Sequence, residues 1–194
     1  LALFLAGCGK NTLPWEASGS SARMRWEQFP VVLWMDPAIA EDAARMDDVH
    51  VAVAWWEEQV SRPLFDLRTW SGPMPPYAGG TATDPQDFLG NVLFFQDPWP
   101  HAEDVKGKTF LLASQDRLEQ GLIALKGDEP YCHGGCAANP GRRVVFQKLV
   151  AHELGHFLGL PHTEDPESLM SPDLTPEPLP AATVTAEELG RIVN

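Results

Sequence analysis

The stretch His152-Glu153-Leu154-Gly155-His156-Phe157-Leu158-Gly159-Leu160-Pro161-His162 dictates both a local shape and a chemistry. In an α-helix, residues four apart differ by roughly 40° around the axis, so His152 and His156 project from one face. Their imidazoles can share one Zn2+, which accepts nitrogen ligands at about 2.0–2.1 Å. Glu153 lies one position on, beside such a metal rather than on it, where a carboxylate can take a proton from a bound water. Gly159 allows the left-handed backbone that ends a helix sharply, and Pro161 prevents the helix from resuming. The chain therefore swings round and His162 returns as a third ligand. Three protein ligands leave a fourth position open, the condition for a catalytic rather than a structural zinc. The alternative is an amphipathic helix with core or solvated histidines.

Upstream, Val145, Leu149, His152 and His156 recur at three and four, which predicts a helix from Val144 to Leu158. Pro30 to Asp36 reads as a buried strand. A long helix follows, with Asp36 as its cap, Pro37 in its first turn and Pro63 ending it. Ile39, Ala43, Met46, Val49, Val53, Trp56 and Val60 fall on its apolar face; Glu41, Asp42, Asp47, Asp48 and Glu57 fall off it. Leu64–Arg68 and Asn91–Gln96 read as further strands, and Thr109–Ser114 with Gly121–Lys126 as a hairpin. Residues 71–90 and 97–108 read as loops. Val184–Val193 looks like a closing helix with Thr185 and Glu188 in capping-box spacing. This is an α+β pattern: a twisted mixed five-stranded sheet, a long helix, a zinc-binding helix and a C-terminal helix.

With these elements in order, the sequence resembles the metzincin (zincin) metalloproteases, whose extended zinc motif is the pattern from His152 to His162. Ser168-Leu169-Met170-Ser171-Pro172 resembles their Met-turn, and its short distance from His162 resembles the matrixin-like branch. Two positions depart from matrixin habit: Thr163 follows the third histidine and Ser171 the turn methionine. The resemblance implies a zinc endopeptidase with His152, His156 and His162 on the metal, Glu153 as general base and Met170 as an apolar floor. It also implies an extended protein or peptide substrate added to a sheet edge along Phe110, Leu111, Leu112 and Ala113. The competing reading of those four residues is plain buried core. A pocket walled by Met170 to Leu174 would sit beside the metal. Ca2+ is common to such proteins, but no site for it is legible; Asp97, His101 and Asp104 are loop residues that could bind an ion or simply be solvated. Two other functions stay open: an inactive metzincin used for binding, and a zinc hydrolase acting on cell-wall peptides.

The outer parts of the chain bear on location. Of 194 residues, 44% are hydrophobic and 21% charged, which suits one globular domain with a tail. The net charge of −13 comes without a basic cluster and argues against nucleic acid as a partner. Leu1 to Cys8 is an apolar run too short to span a bilayer. Leu5-Ala6-Gly7-Cys8 resembles a bacterial lipobox, with Cys8 as the lipidated residue. Residues 1–8 are then a signal remnant, 9–24 a flexible tether and 25–194 the catalytic domain. The expected protein is an exported monomer, held at a membrane by lipid alone. Cys132 and Cys136 would form a small disulfide loop in an oxidising compartment; a metal held with His133 is the alternative.

Overall fold

A computed structural model describes residues 2–7, 24–71, 90–114, 116–134, 136, 144–179 and 182–193. The tether of residues 9–24 lies outside them except for Met24, and so does Cys8. The elements are β1 (Ala2–Gly7), β2 (Val31–Met35), α1 (Pro37–Ala40), α2 (Ala43–Val60), β3 (Phe65–Thr69), β4 (Val92–Gln96), β5 (Gly107–Ser114), β6 (Arg117–Lys126), α3 (Phe146–Phe157) and α4 (Ala186–Val193).

The five expected strands are present in one mixed sheet, ordered β5-β6-β4-β2-β3, with β5 antiparallel to β6 and the other neighbours parallel. A sixth strand lies outside them. The apolar N-terminal run, read from sequence as a signal remnant, forms β1 and pairs antiparallel with β5, Leu3 opposite Leu112 and Leu5 opposite Phe110. β5 is thus flanked on both sides in this structure, and the expected open edge along residues 110–113 is covered by the protein's own chain.

Strand alternation sorts side chains onto two faces. On β4, Leu93 and Phe95 join the main core beneath the helices, while Val92 and Phe94 join a smaller cluster with Phe110, Trp34, Trp70 and Trp99. The main core is closed by Trp56 from α2, which donates its indole N–H to Ala151 O of α3 at 2.7 Å. Trp26 does the same to Phe157 O at 2.7 Å and stacks on the Phe157 ring.

The single long helix expected from Asp36 to Val60 is two helices. Asp36 caps α1 by accepting from Ala38 N. Asp42 then caps α2, accepting from Ala44 N and Arg45 N, so a second start interrupts a continuous apolar period. Asp48, expected on the solvent side of that helix, is buried instead. Its carboxylate faces His133 Nδ1 at 2.7 Å and accepts from Gly134 N. His133 is therefore a hydrogen-bond partner of Asp48, and Cys132 and Cys136 beside it are joined as a disulfide. Among the described residues, no helix is long and apolar enough to cross a membrane.

Candidate metal centre

α3 has no solvent face: all twelve of its residues are buried. The helix is enclosed by the core on every side, and it carries Gln147, Lys148, two histidines and a glutamate there. Its first turn has no side-chain cap; Phe146 N instead donates to Cys132 O at 2.9 Å, so the disulfide loop satisfies one of the orphan donors. Its far end turns at Gly159, whose φ of 94° is left-handed and where a Cβ would meet the Met24 carbonyl oxygen. Gly159 N bonds His156 O and Leu160 N bonds Gly155 O, which closes the helix as the sequence required.

The turn brings His162 back. His156 Nε2 lies 3.1 Å from His152 Nε2 and 3.1 Å from His162 Nε2. The three ring nitrogens form the one group of metal-ligating side chains found among the described residues. The opposite ring nitrogens are fixed by the backbone: His152 Nδ1–H donates to Leu169 O at 2.7 Å and His156 Nδ1–H to Leu160 O at 2.8 Å. That places the lone pairs of both Nε2 atoms toward the shared point, the tautomer a metal needs. Tetrahedral zinc–nitrogen bonds separate their nitrogens by about 3.3 Å, so the spacing and the donor set both fit Zn2+. Burial pushes the His152 imidazolium down to about 3, helped by His162; burial likewise holds His156 well below the ordinary histidine range and lowers His162. Burial thus favours the neutral imidazole at all three positions.

Met170 is fully buried against α3; a Cβ on Gly155 would run into its Sδ and lie 2.9 Å from the Trp56 ring. The turn is held at two points, Thr163 N to Met170 O at 3.0 Å and Met170 N to Ser168 Oγ at 3.0 Å. Ser168 Oγ in turn donates to Glu188 of α4 at 3.2 Å. Glu188 also completes the expected capping box, accepting from Thr185 N at 2.6 Å while its own N–H donates to Thr185 Oγ1.

Glu153 is buried, and two residues not singled out in the sequence shape its surroundings. The Thr109 hydroxyl lies 2.7 Å from Glu153 Oε2, and Gly107 leaves room for the carboxylate, since a Cβ there would clash with Oε1. Both come from β5, more than forty positions upstream of the histidine motif, and no local pattern marks them. A cavity of about 220 Å³ runs between the start of α3 and Pro172–Thr175; of the expected wall from Met170 to Leu174, Pro172, Asp173 and Leu174 line it. Asp97, His101 and Asp104 do not gather; His101 instead meets the Trp99 ring edge-on at 4.8 Å.

A family profile described as Matrixin matches residues 84–189. Matrix metalloproteinase-C of Caenorhabditis elegans is 22% identical over 173 residues, covering 87% of this chain and 27% of that protein. The chain thus spans roughly a quarter of that relative's length. The crystal structure of metalloproteinase-II from Bacteroides fragilis aligns at 13% identity and a TM-score of 0.47, covering 92% of this chain and 59% of that one.

Proposed function

The chain belongs to the matrixin family, and from that premise we propose that it hydrolyses peptide bonds as a zinc-dependent endopeptidase. One observation carries the reading: three imidazoles converge on a point, with a buried carboxylate next to them in sequence on the same helix. His152, His156 and His162 would hold the metal. Zinc, when bound, supplies Lewis acidity, lowering the pKa of a coordinated water and polarising a carbonyl. Glu153 is the proton acceptor and returns that proton to the leaving amine. Thr109 fixes the Glu153 carboxylate by its hydrogen bond to Oε2. Met170 and Trp56 pack against Gly155 and keep α3 at its depth.

The substrate is an extended peptide added along β5 at residues 110–113. It takes the place that β1 fills in this structure. The lipobox-like Leu5-Ala6-Gly7-Cys8 and the Cys132–Cys136 disulfide support export, with lipid on Cys8 as the membrane anchor. In the native host, Cys8→Ala should block signal cleavage and lipid labelling; unchanged processing and labelling would remove the anchor from this reading.

The decisive experiment separates metal binding from catalysis. Glu153→Ala should keep about one zinc per chain and an unchanged circular dichroism spectrum, yet lose peptide cleavage by roughly 10²–10⁴-fold, the usual contribution of general acid–base help. Near-normal turnover in the zinc-loaded variant would sink the mechanism.

A further inference from the structure

A second cavity, of about 830 Å³, shares no residue with the metal centre. It opens between the start of β2, the end of α2, the β5–β6 turn and the end of α4, where Pro30, Arg62, Pro63, Asp116, Arg117 and Ile192 line it. Trp26, which fastens the end of α3 through Phe157 O, forms part of the wall. The volume lies in the range of sites for small organic ligands.

Arg62 is held in this cavity under constraint. α2 ends at Ser61, whose φ of 55° is left-handed; among the described residues no other non-glycine residue has a positive φ. Glycine takes that conformation freely, whereas serine keeps it only where the surroundings impose it. Pro63 then bars Arg62 from helical backbone. Between these two neighbours, the Arg62 guanidinium lies over the Phe29 ring at 4.3 Å. Its Nε–H is buried and meets no acceptor, and Arg62 forms no ion pair among the described residues. A guanidinium partly withdrawn from water is unfavourable unless an anion answers it.

The other charges around the cavity fix what kind of anion that is. Arg117 is taken by Glu27 at 3.2 Å, at the exposed rim. Arg25 is engaged as well, and its backbone N–H donates to Asp116 O at 3.1 Å. The Asp116 residue is exposed, so water screens its carboxylate from Arg62. One positive charge is left to be matched, with the carboxylates of Glu27 and Asp116 close by. A monoanion fits that balance, whereas a dianion such as phosphate would be repelled by both carboxylates. Trp26, Phe29, Pro30, Pro63 and Ile192 supply apolar surface for the rest of the ligand.

We propose that this cavity binds a small organic monocarboxylate, with the carboxylate on the Arg62 guanidinium and the apolar body against Trp26 and the flanking prolines. The planar fork of arginine matches a carboxylate, and the Phe29 ring already holds that fork in place, so little freedom is lost on binding. The site does not depend on the endopeptidase reading above.

The test titrates three probes into the 15N-labelled, zinc-loaded 1–194 chain: phenylacetate, its neutral isostere phenylacetamide, and inorganic phosphate. Phenylacetate should shift the Trp26 indole N–H and Arg62 Nε–H resonances and bind about tenfold or more tightly than phenylacetamide, the order expected of one charge-assisted contact. Arg62→Gln should bring that ratio to about one, and Arg62→Lys should keep only part of it, because a lysine retains the charge without the fork. Equal binding of acid and amide, or a ratio unchanged in folded Arg62→Gln, would overturn the site. So would shifts confined to residues of the metal centre, which mean that the acid binds zinc instead. Phosphate binding as tightly as phenylacetate, with the same shifts, would overturn the monocarboxylate assignment. Should Arg62→Gln not fold, the wild-type and Arg62→Lys ratios decide the matter.

Discussion

Around Glu153, the structure adds a contact that local sequence patterns do not contain. The spacing of His152, His156, Gly159 and His162 made the histidine cluster legible, because helix periodicity and a glycine stop fix geometry within eleven residues. Thr109 and Gly107 were not legible, because their meeting with Glu153 depends on how β5 packs on α3. Thr109→Val keeps the shape and removes the hydroxyl. It should leave zinc content and KM nearly unchanged and lower kcat by roughly tenfold, since a hydrogen bond to a carboxylate is worth about 1.5–3 kcal/mol and each 1.4 kcal/mol is a factor of ten. Steady-state kinetics alongside metal analysis check this; a loss of zinc in parallel with kcat would reassign Thr109 to folding. The histidines make a second prediction. Burial depresses their folded-state values below the 6.5 of an ordinary histidine, to about 3 for His152. The unfolded chain therefore binds more protons as the pH falls below 6.5. Stability of the metal-free protein is fully present above pH 6.5 and should decline from there toward pH 3. Urea denaturation of chelated protein at pH 7 and pH 5 measures it, and equal midpoints would contradict the burial argument.

Among the elements, α3 is the best example of a helix placed by its neighbours rather than by its own ends. It lacks a side-chain cap, and the Cys132–Cys136 loop supplies a carbonyl to Phe146 N while His133 and Gly134 grip Asp48 of α2. The disulfide thus fastens the start of the metal helix to the long helix. Cys132→Ser with Cys136→Ser should cost about 2 kcal/mol, as a short closed loop does in the chain-entropy account. Chemical denaturation of oxidised and reduced wild type beside the double variant reads the loss. The disulfide was legible from the close cysteine pair and the expected oxidising compartment, but the role of Asp48 was not, because its position on a helical wheel lies off the apolar stripe. A period finds apolar faces; it does not find a carboxylate buried because a histidine from elsewhere meets it. The break at Asp42 was hidden for a related reason: the apolar spacing continues through it, and only the cap bonds reveal a second start.

For the whole molecule, the sheet and the helices set what is open and what is sealed. β1 runs the length of β5 from Gly7 opposite Lys108 to Ala2 opposite Ala113, so any peptide added there must displace it. A chain beginning at residue 9 should show a lower KM for extended peptides than the 1–194 chain, with kcat little changed; identical KM values would mean that β1 does not compete. At the opposite end, Glu188 of α4 reaches Ser168, and Ser168 holds Met170 beneath the metal helix. At the centre, α3 is buried along its whole length. Its amide protons therefore have no local route to solvent. They should exchange with deuterium only when the entire domain opens, reporting the global unfolding free energy, while the ends of α2 and α4 exchange earlier by fraying. Each tenfold excess of free metal over its dissociation constant should then slow that exchange by a further tenfold, so the timing of deuterium uptake in one helix becomes a gauge of metal affinity.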